Sequence, residues 1–267
     1  MSESYSLADL LRVMERLRDP ELGCPWDLDQ DFRSIVPSTL EECYELAEAI
    51  EHDDFPHVAE ELGDVLFQVV FYAQLGRERD LFSFDSVVHT LVDKLVRRHP
   101  HVFAYVEIVG VVGERTDVAE VKTTWEAIKQ QERHARQQTG ALADVPVALP
   151  ALPRAQKLQK RAARVGFDWS DAGGVLDKVE EEFRELRAAI ESGDSKGSAE
   201  EVGDLFFSLV NLSRHLKLDA ESALRHASIK FESRFKTMEA IAAGDERDLA
   251  DFDEDQLEAL WQQAKAR

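Results

Sequence analysis

Six acidic residues recur in the same order at two places in the chain. Glu41, Glu42 and Glu45 precede Glu60, Glu61 and Asp64, and Glu181, Glu182 and Glu185 precede Glu200, Glu201 and Asp204. Residues three apart on a helix share a face. Glu182 with Glu185, and Glu201 with Asp204, therefore form two acidic edges that antiparallel helices could turn toward one another. Four carboxylates in one spot repel, and such a cluster persists only if cations or protons neutralise it. Hard oxygen donors favour magnesium, with manganese as the alternative, and an octahedral ion that keeps waters leaves positions for substrate phosphates. The spacing thus suits a site that handles phosphate.

An ordinary solvated acidic face competes with that account. Acidic residues fill 53 of 267 positions, roughly one in five, so a single EExxE run is expected about twice by chance and carries little. The repetition changes the odds. Shifting the chain by 140 positions superposes all six acids, along with Gly63 on Gly203 and Ala49, Ile50 and Glu51 on Ala189, Ile190 and Glu191. Six acidic matches at one offset, searched over a couple of hundred offsets, have a chance of about one in a hundred. Leu205, Phe206 and Phe207 follow Asp204 directly, and so apolar a stretch predicts a buried helix there.

Basic and aromatic residues repeat as well, at an offset of 136: Lys94 with Lys230, Arg98 with Arg234, Trp125 with Trp261, and Lys129 with Lys265. Lys230 and Arg234 lie four apart on one helical face and could hold phosphate oxygens. Their alternative is a surface pair beside Glu232. Trp261 could stack on a base or serve as a core aromatic, and Lys265 could be merely solvated. The change of offset needs a four-residue length difference, which a loop between Gly76 and Phe84 can absorb. At offset 140 Lys178 corresponds to Ser38. The first copy therefore lacks a cation one turn before its glutamates, and the second copy is expected to carry most of any catalysis.

Apolar residues recur at helical spacing around both clusters: Leu40, Tyr44, Ala47 and Ile50, then Leu62, Val65, Leu66 and Val69; Val179, Phe183, Leu186 and Ile190, then Val202, Leu205, Phe206 and Leu209. The expected fold is all-α, two tandem helical bundles. The first unit spans 1–138, a proline-rich extended linker 139–153, and the second unit 154–267. The Val- and Gly-rich stretch 105–118 is expected to form a small hairpin or a mobile loop.

With 32 basic against 53 acidic residues the formal net charge is -21. A polyanion would be repelled, so nucleic acid is not an expected partner. A free nucleotide can arrive with magnesium. The acidic start of the chain lacks the pattern of a signal peptide, and no stretch is apolar enough to span a bilayer. Cys24 and Cys43 have no CxxC spacing, which suits a reducing, cytoplasmic setting.

Stretches such as RLRDPELGCPWD, LEECYELAEAI, ELGDVLFQVVFYAQ, RRHPHVF, RAQKLQKRAARVGFDW and EEVGDLFFSLVNL are similar to the two-copy bacterial members of the MazG family, over essentially the whole chain. The resemblance implies all-α units that dimerise into four-helix-bundle cores. It also implies magnesium-dependent hydrolysis of nucleoside triphosphates, ribo and deoxy, to monophosphate and pyrophosphate. It implies metal ligation by Glu182, Glu185, Glu201 and Asp204, and nucleotide contacts from Lys178, Glu181, Glu200, Lys230, Arg234 and Trp261, with Lys265 a further contact. The first-copy equivalents are Glu42, Glu45, Glu61, Asp64, Lys94, Arg98 and Trp125. Members often carry lysine where Gly197 stands, and only Lys196 could replace it.

Two other classes compete. A di-iron or di-manganese carboxylate bundle needs Glu-x-x-His pairs, and no histidine here has a glutamate three positions before it. A non-catalytic acidic module that binds a partner protein predicts loss of carboxylates in one copy, whereas both keep them; regulation by a protein partner remains compatible as an added role.

Overall fold

The computed structural model describes residues 4–103, 117, 120–121, 124–125, 127–128, 132, 140–143, 145–244 and 246–266. These are helical or connecting, with no strand among them. The chain divides into two compact units, Met1–Gln131 and Glu132–Arg267. The first contains α1 (Leu7–Leu17), α2 (Pro25–Asp29), α3 (Val36–Glu51), α4 (Phe55–Glu78) and α5 (Phe84–Arg98). The second contains α6 (Ala151–Ala163), α7 (Ala172–Ser192), α8 (Ser195–His215), α9 (Ala220–Gly244), a 3-10 turn (Leu249–Asp251) and α10 (Glu254–Ala266). The expected hairpin or loop at 105–118 lies outside the described residues apart from Asp117. The last residues of the expected linker differ from expectation, because α6 already begins at Ala151. Pro153 sits in its first turn, where a missing N–H leaves no helical bond unmade.

Each unit is organised around a helical hairpin, α3 with α4 and α7 with α8. The reversal between partners is short and equivalent in both. Gly193 takes the left-handed conformation (φ 72°), and Asp53 at the matching position does the same (φ 54°). The next residue caps the following helix: Asp54 accepts from the His57 N–H, and Asp194 from the N–H groups of Lys196 and Gly197. Aspartate at the N-cap satisfies otherwise orphaned donors. Burial follows the repeat too, with Ile35 and Val175, and Val70 and Val210, all buried.

The four-residue length difference is absorbed mainly by helix and not, as expected, by a loop. α4 has 24 residues where α8 has 21, and the connection after it is only one residue longer. The extra turn of α4 is used. Glu78 receives two hydrogen bonds from Arg18, at 2.8 and 2.7 Å, tying the end of α4 to the end of α1. Gly76 allows Phe82 to close over the helix, since a Cβ there would meet the ring at 2.6 Å. Met14, Ile35, Val70, Phe71 and Leu75 form the core of the first unit. In the second, Met238, Leu260 and Ala264 join α9 to α10.

The expectation that the helix after Asp204 is buried is not met within the single chain. Leu205 is half-buried, but Phe206 is 56% exposed and Phe207 44%. The α7–α8 pair carries apolar residues on more than one face, and its neighbours in the chain cover only part of them.

A hydrogen-bonded triad pins the approach to α7. Asp168 accepts from Arg214 Nη1 (2.9 Å) and Nη2 and lies 3.0 Å from His215 Nε2, both residues at the end of α8. The Arg214 hydrogen bonds hold the Asp168 carboxyl down at about 2, below its ordinary value of 3.8. The folded value lies below the unfolded one, so this contribution is complete above about pH 4 and fades as pH falls toward 2. With allowance for partial exposure, Asp168→Asn should cost about 1–2 kcal/mol at neutral pH. Urea unfolding at pH 7 and again at pH 3 checks this, because the gap from wild type must narrow in acid.

Candidate metal and nucleotide site

The α7–α8 hairpin brings one carboxylate oxygen each from Glu182, Glu201 and Asp204 within 4.8 Å of one another. Glu182 is buried, Glu201 half-buried and Asp204 exposed, so the cluster opens from the helix interface to solvent. Glu185 is outside this tight set, yet its charge presses on Glu201. Burial, then the charges of Glu185, Glu182, Asp204 and Glu200, pushes the Glu201 carboxyl above its ordinary value. Crowding of this kind is what a bound cation relieves.

Lys178 stands one turn before Glu182 on the same helix, with Nζ 2.8 Å from both Glu181 Oε1 and Glu182 Oε1. Those hydrogen bonds hold the ammonium above the usual lysine range and the Glu181 carboxyl below its own. The structure therefore places Lys178 among carboxylates, at the edge of the cluster. Glu200 is exposed beside Glu201.

The first unit repeats the arrangement with a different membership. Glu42, Glu45 and Glu61 bring carboxylate oxygens within 4.8 Å, and here Asp64 lies outside the tight set. Burial and then the Asp64 charge, followed by Glu45, Glu61 and Glu41, raises the Glu42 carboxyl. The buried glutamate is Glu61 on the second helix of the pair, in place of Glu182 on the first. Its Oε1 lies 2.7 Å from His57 Nε2, a partner that sequence reasoning missed. The signal was present in the offset, because His57 falls opposite Gly197. At Gly197 itself a Cβ would meet Asp194 Oδ2 at 2.6 Å, so the capping aspartate crowds that position. Lys196 is exposed at the start of α8 and makes no ion pair among the described residues.

The basic and aromatic candidates gather separately, on α9 and α10. The Arg234 guanidinium lies 5.9 Å from the Trp261 ring centroid, and Phe231 packs on the same ring at 5.3 Å. Trp261 also packs against the Met238, Leu260 and Ala264 cluster, so its core contacts are real and its remaining surface is what a base could use. Glu232 pairs with Lys236 at 2.6 Å; the alternative pairing of Lys230 or Arg234 with it is not found. Neither cation forms an ion pair among the described residues, and no hydrogen bond joins them to the carboxylate cluster. Lys265 is exposed. In the first unit Lys94 and Arg98 are half-buried on α5, and the Trp125 ring lies 6.3 Å from that of His99. Lys129 lies outside the described residues.

The carboxylate donor set fits a hard divalent cation. One observation supports this beyond composition: Glu61 Oε2 is buried with no hydrogen-bond partner, a condition that native structures normally resolve with a ligand, ion or water.

Comparison with known proteins bears on the same two segments. The MazG nucleotide pyrophosphohydrolase domain matches residues 30–103 and 174–250, one match around each hairpin. The nucleoside triphosphate pyrophosphohydrolase of Escherichia coli (strain K12) is 48% identical over 258 residues, covering 96% of this chain and 95% of that protein. The nucleoside triphosphate pyrophosphohydrolase/pyrophosphatase MazG of Thermotoga maritima is 44% identical over 257 residues, 96% of this chain and 94% of that one. A nucleoside triphosphate pyrophosphohydrolase of Mycolicibacterium smegmatis is 30% identical over 273 residues, covering 97% and 71%. Domain matches on both carboxylate hairpins and identity that runs through the connecting segments lead to one conclusion: the chain belongs to the MazG nucleotide pyrophosphohydrolase family.

Proposed function

We propose that this chain hydrolyses nucleoside triphosphates to the monophosphate and pyrophosphate, with the working site on the α7–α8 hairpin of the second unit. The observation that carries this is the convergence of Glu182, Glu201 and Asp204 beside Lys178. Glu182, Glu201 and Asp204, with Glu185 swinging in from the edge, would hold magnesium, or manganese in its place. When bound, the metal supplies charge neutralisation for the triphosphate and makes water a better nucleophile.

The protein's own groups do the rest. Lys178 exchanges its carboxylate partners for phosphate oxygen, and Lys230 and Arg234, which have no carboxylate partner among the described residues, grip the remaining phosphates. Glu181 and Glu200 border the nucleotide, and Trp261 offers the uncovered part of its ring to the base. The distal phosphates, held as one unit, leave as pyrophosphate, so the reaction removes triphosphates from the pool.

The exposed apolar residues Phe183, Phe206 and Phe207 on the catalytic hairpin favour a homodimer, since contiguous apolar surface of this kind marks an interaction face. A dimer also offers a way for the α9–α10 cations to reach a carboxylate cluster that they do not touch within one chain. Two unbridged cysteines suit a cytoplasmic setting. Among the described residues no helix is long and apolar enough to cross a membrane. The division of labour between a first unit, 1–138, and a second unit, 154–267, belongs to the same proposal, with the connecting segment ending where α6 begins at Ala151.

Hydrolysis in 18O-labelled water tests the bond that breaks. Label is expected in the monophosphate, with pyrophosphate unlabelled. Diphosphate and orthophosphate as the initial products would overturn the proposal.

A further inference from the structure

The two carboxylate clusters differ in where their positive charge comes from. In the second unit the Lys178 ammonium, 2.8 Å from Glu182 Oε1, already offsets part of the cluster's charge. Its equivalent in the first unit is Ser38, which brings no charge. There the partner arrives from the other helix, as His57 on α4. The lysine ammonium that occupies Glu182 therefore has no counterpart on α3.

A second, independent feature belongs to the first cluster alone. The Glu61 side chain is only 9% exposed, and its Oε1 is taken by His57. Its Oε2 is buried and bonded to nothing. Among the described residues no buried oxygen of Glu182, Glu201 or Asp204 is left in that state. A buried carboxylate with one oxygen uncommitted, in a trio that brings one oxygen from each member within 4.8 Å of the others, is a ligand set short of its ion.

We propose that Glu42, Glu45 and Glu61 hold a resident divalent cation in the absence of nucleotide, whereas the second cluster takes up its cation only together with the nucleotide. Lys178 accounts for the difference, because in the nucleotide-free protein it competes with a metal for Glu182. When the triphosphate arrives it draws Lys178 away and brings phosphate oxygens that complete the metal's coordination. The resident ion bridges α3 and α4 and so stabilises the folded first unit, as any ligand of the native state alone does. His57 is a positioning residue in this scheme: it holds one oxygen of Glu61 and leaves the other for the ion. This rests on the reading of both clusters as cation sites given above, but not on which of them turns over substrate.

The test uses full-length protein and Mn2+ as the probe, with binding followed by loss of the free-ion electron paramagnetic resonance signal. Without nucleotide, one tight site per chain is expected. Glu61→Gln should weaken it at least tenfold, and Glu182→Gln should not. Adding a non-hydrolysable triphosphate analogue should bring in a second site, which Glu182→Gln removes. Lys178→Met should let the second cluster bind Mn2+ without nucleotide. Thermal unfolding gives a second readout: Mn2+ should raise the wild-type midpoint over that in EDTA, and the rise should be lost in both Glu61→Gln and Glu42→Gln. A nucleotide-free site that is lost in Glu182→Gln instead, two equal sites, or no tight site overturns the proposal. Pyrophosphate release on the same samples separates the two readings. Wild type that turns over without a nucleotide-free site sinks only this proposal, and wild type with the resident site but no turnover sinks only the assigned reaction.

Discussion

Glu182→Gln, and separately Asp204→Asn, is expected to lower pyrophosphate release on the order of a hundred- to a thousandfold while the helical circular dichroism persists. Each substitution keeps the side-chain shape and removes one negative charge from an oxygen that converges with two others within 4.8 Å. At Glu182 the effect is compounded. Its carboxylate is the buried member of the trio and holds Lys178 at 2.8 Å, so the amide weakens both the cation site and one of the two holds on the ammonium. At Asp204 the side chain is exposed and makes no ion pair among the described residues, so its loss reports chiefly on the cation. Steady-state turnover with saturating magnesium checks both variants. Either one retaining near wild-type turnover would remove these residues from the metal site.

The hairpins and their acidic edges were legible in the sequence because repetition is insensitive to context. Glu182, Glu201 and Asp204 converge as the i, i+3 spacing requires, and the offset that pairs them also pairs the caps Asp54 and Asp194. Less legible was which member of each quartet stands apart. Spacing treats Glu185 and Asp64 alike, but the geometry leaves Glu185 out of one tight set and Asp64 out of the other, a choice made by side-chain direction and by where the cationic partner sits. His57 was hidden for the same reason. A histidine opposite Gly197 has no meaning until the helix register places its ring on Glu61.

The exposed state of Phe206 and Phe207 shows a different limit. An apolar run after Asp204 correctly marks surface that avoids water, but sequence cannot say whether the same chain or another copy covers it. Within one chain α7 and α8 cover each other and part of α6, leaving these rings outward. The four-residue length difference was equally visible and falls in the expected stretch, Gly76 to Phe84, but it is mostly helix and not loop; the loop was expected because glycine at position 76 reads as a break. In the structure that glycine lies within α4, where Phe82 packs against it.

Catalysis is expected to be unequal between the units, with Glu182→Gln/Glu185→Gln abolishing nearly all turnover and Glu42→Gln/Glu45→Gln reducing it less than about tenfold. The carboxylates do not decide this, since both quartets are complete and both form tight trios. The cations beside them do. Lys178 is a fully charged group at the edge of the second cluster, positioned to exchange Glu182 for a phosphate. Ser38 in its place can make only a neutral contact. Losing a charge-assisted phosphate contact costs about 1.5–3 kcal/mol, roughly ten- to a hundredfold in rate or affinity. His57 does not restore it, because its ring lies on the opposite helix and is committed to Glu61 at 2.7 Å. The first unit's share of turnover should therefore be small, and damage there should appear mainly as lower stability. Both double variants are to be assayed in full-length protein well below the melting temperature, so that unfolding does not pass for lost chemistry. If the first loses as much turnover as the second, the asymmetry drawn from Lys178 and Ser38 is wrong, and the two hairpins work as equals.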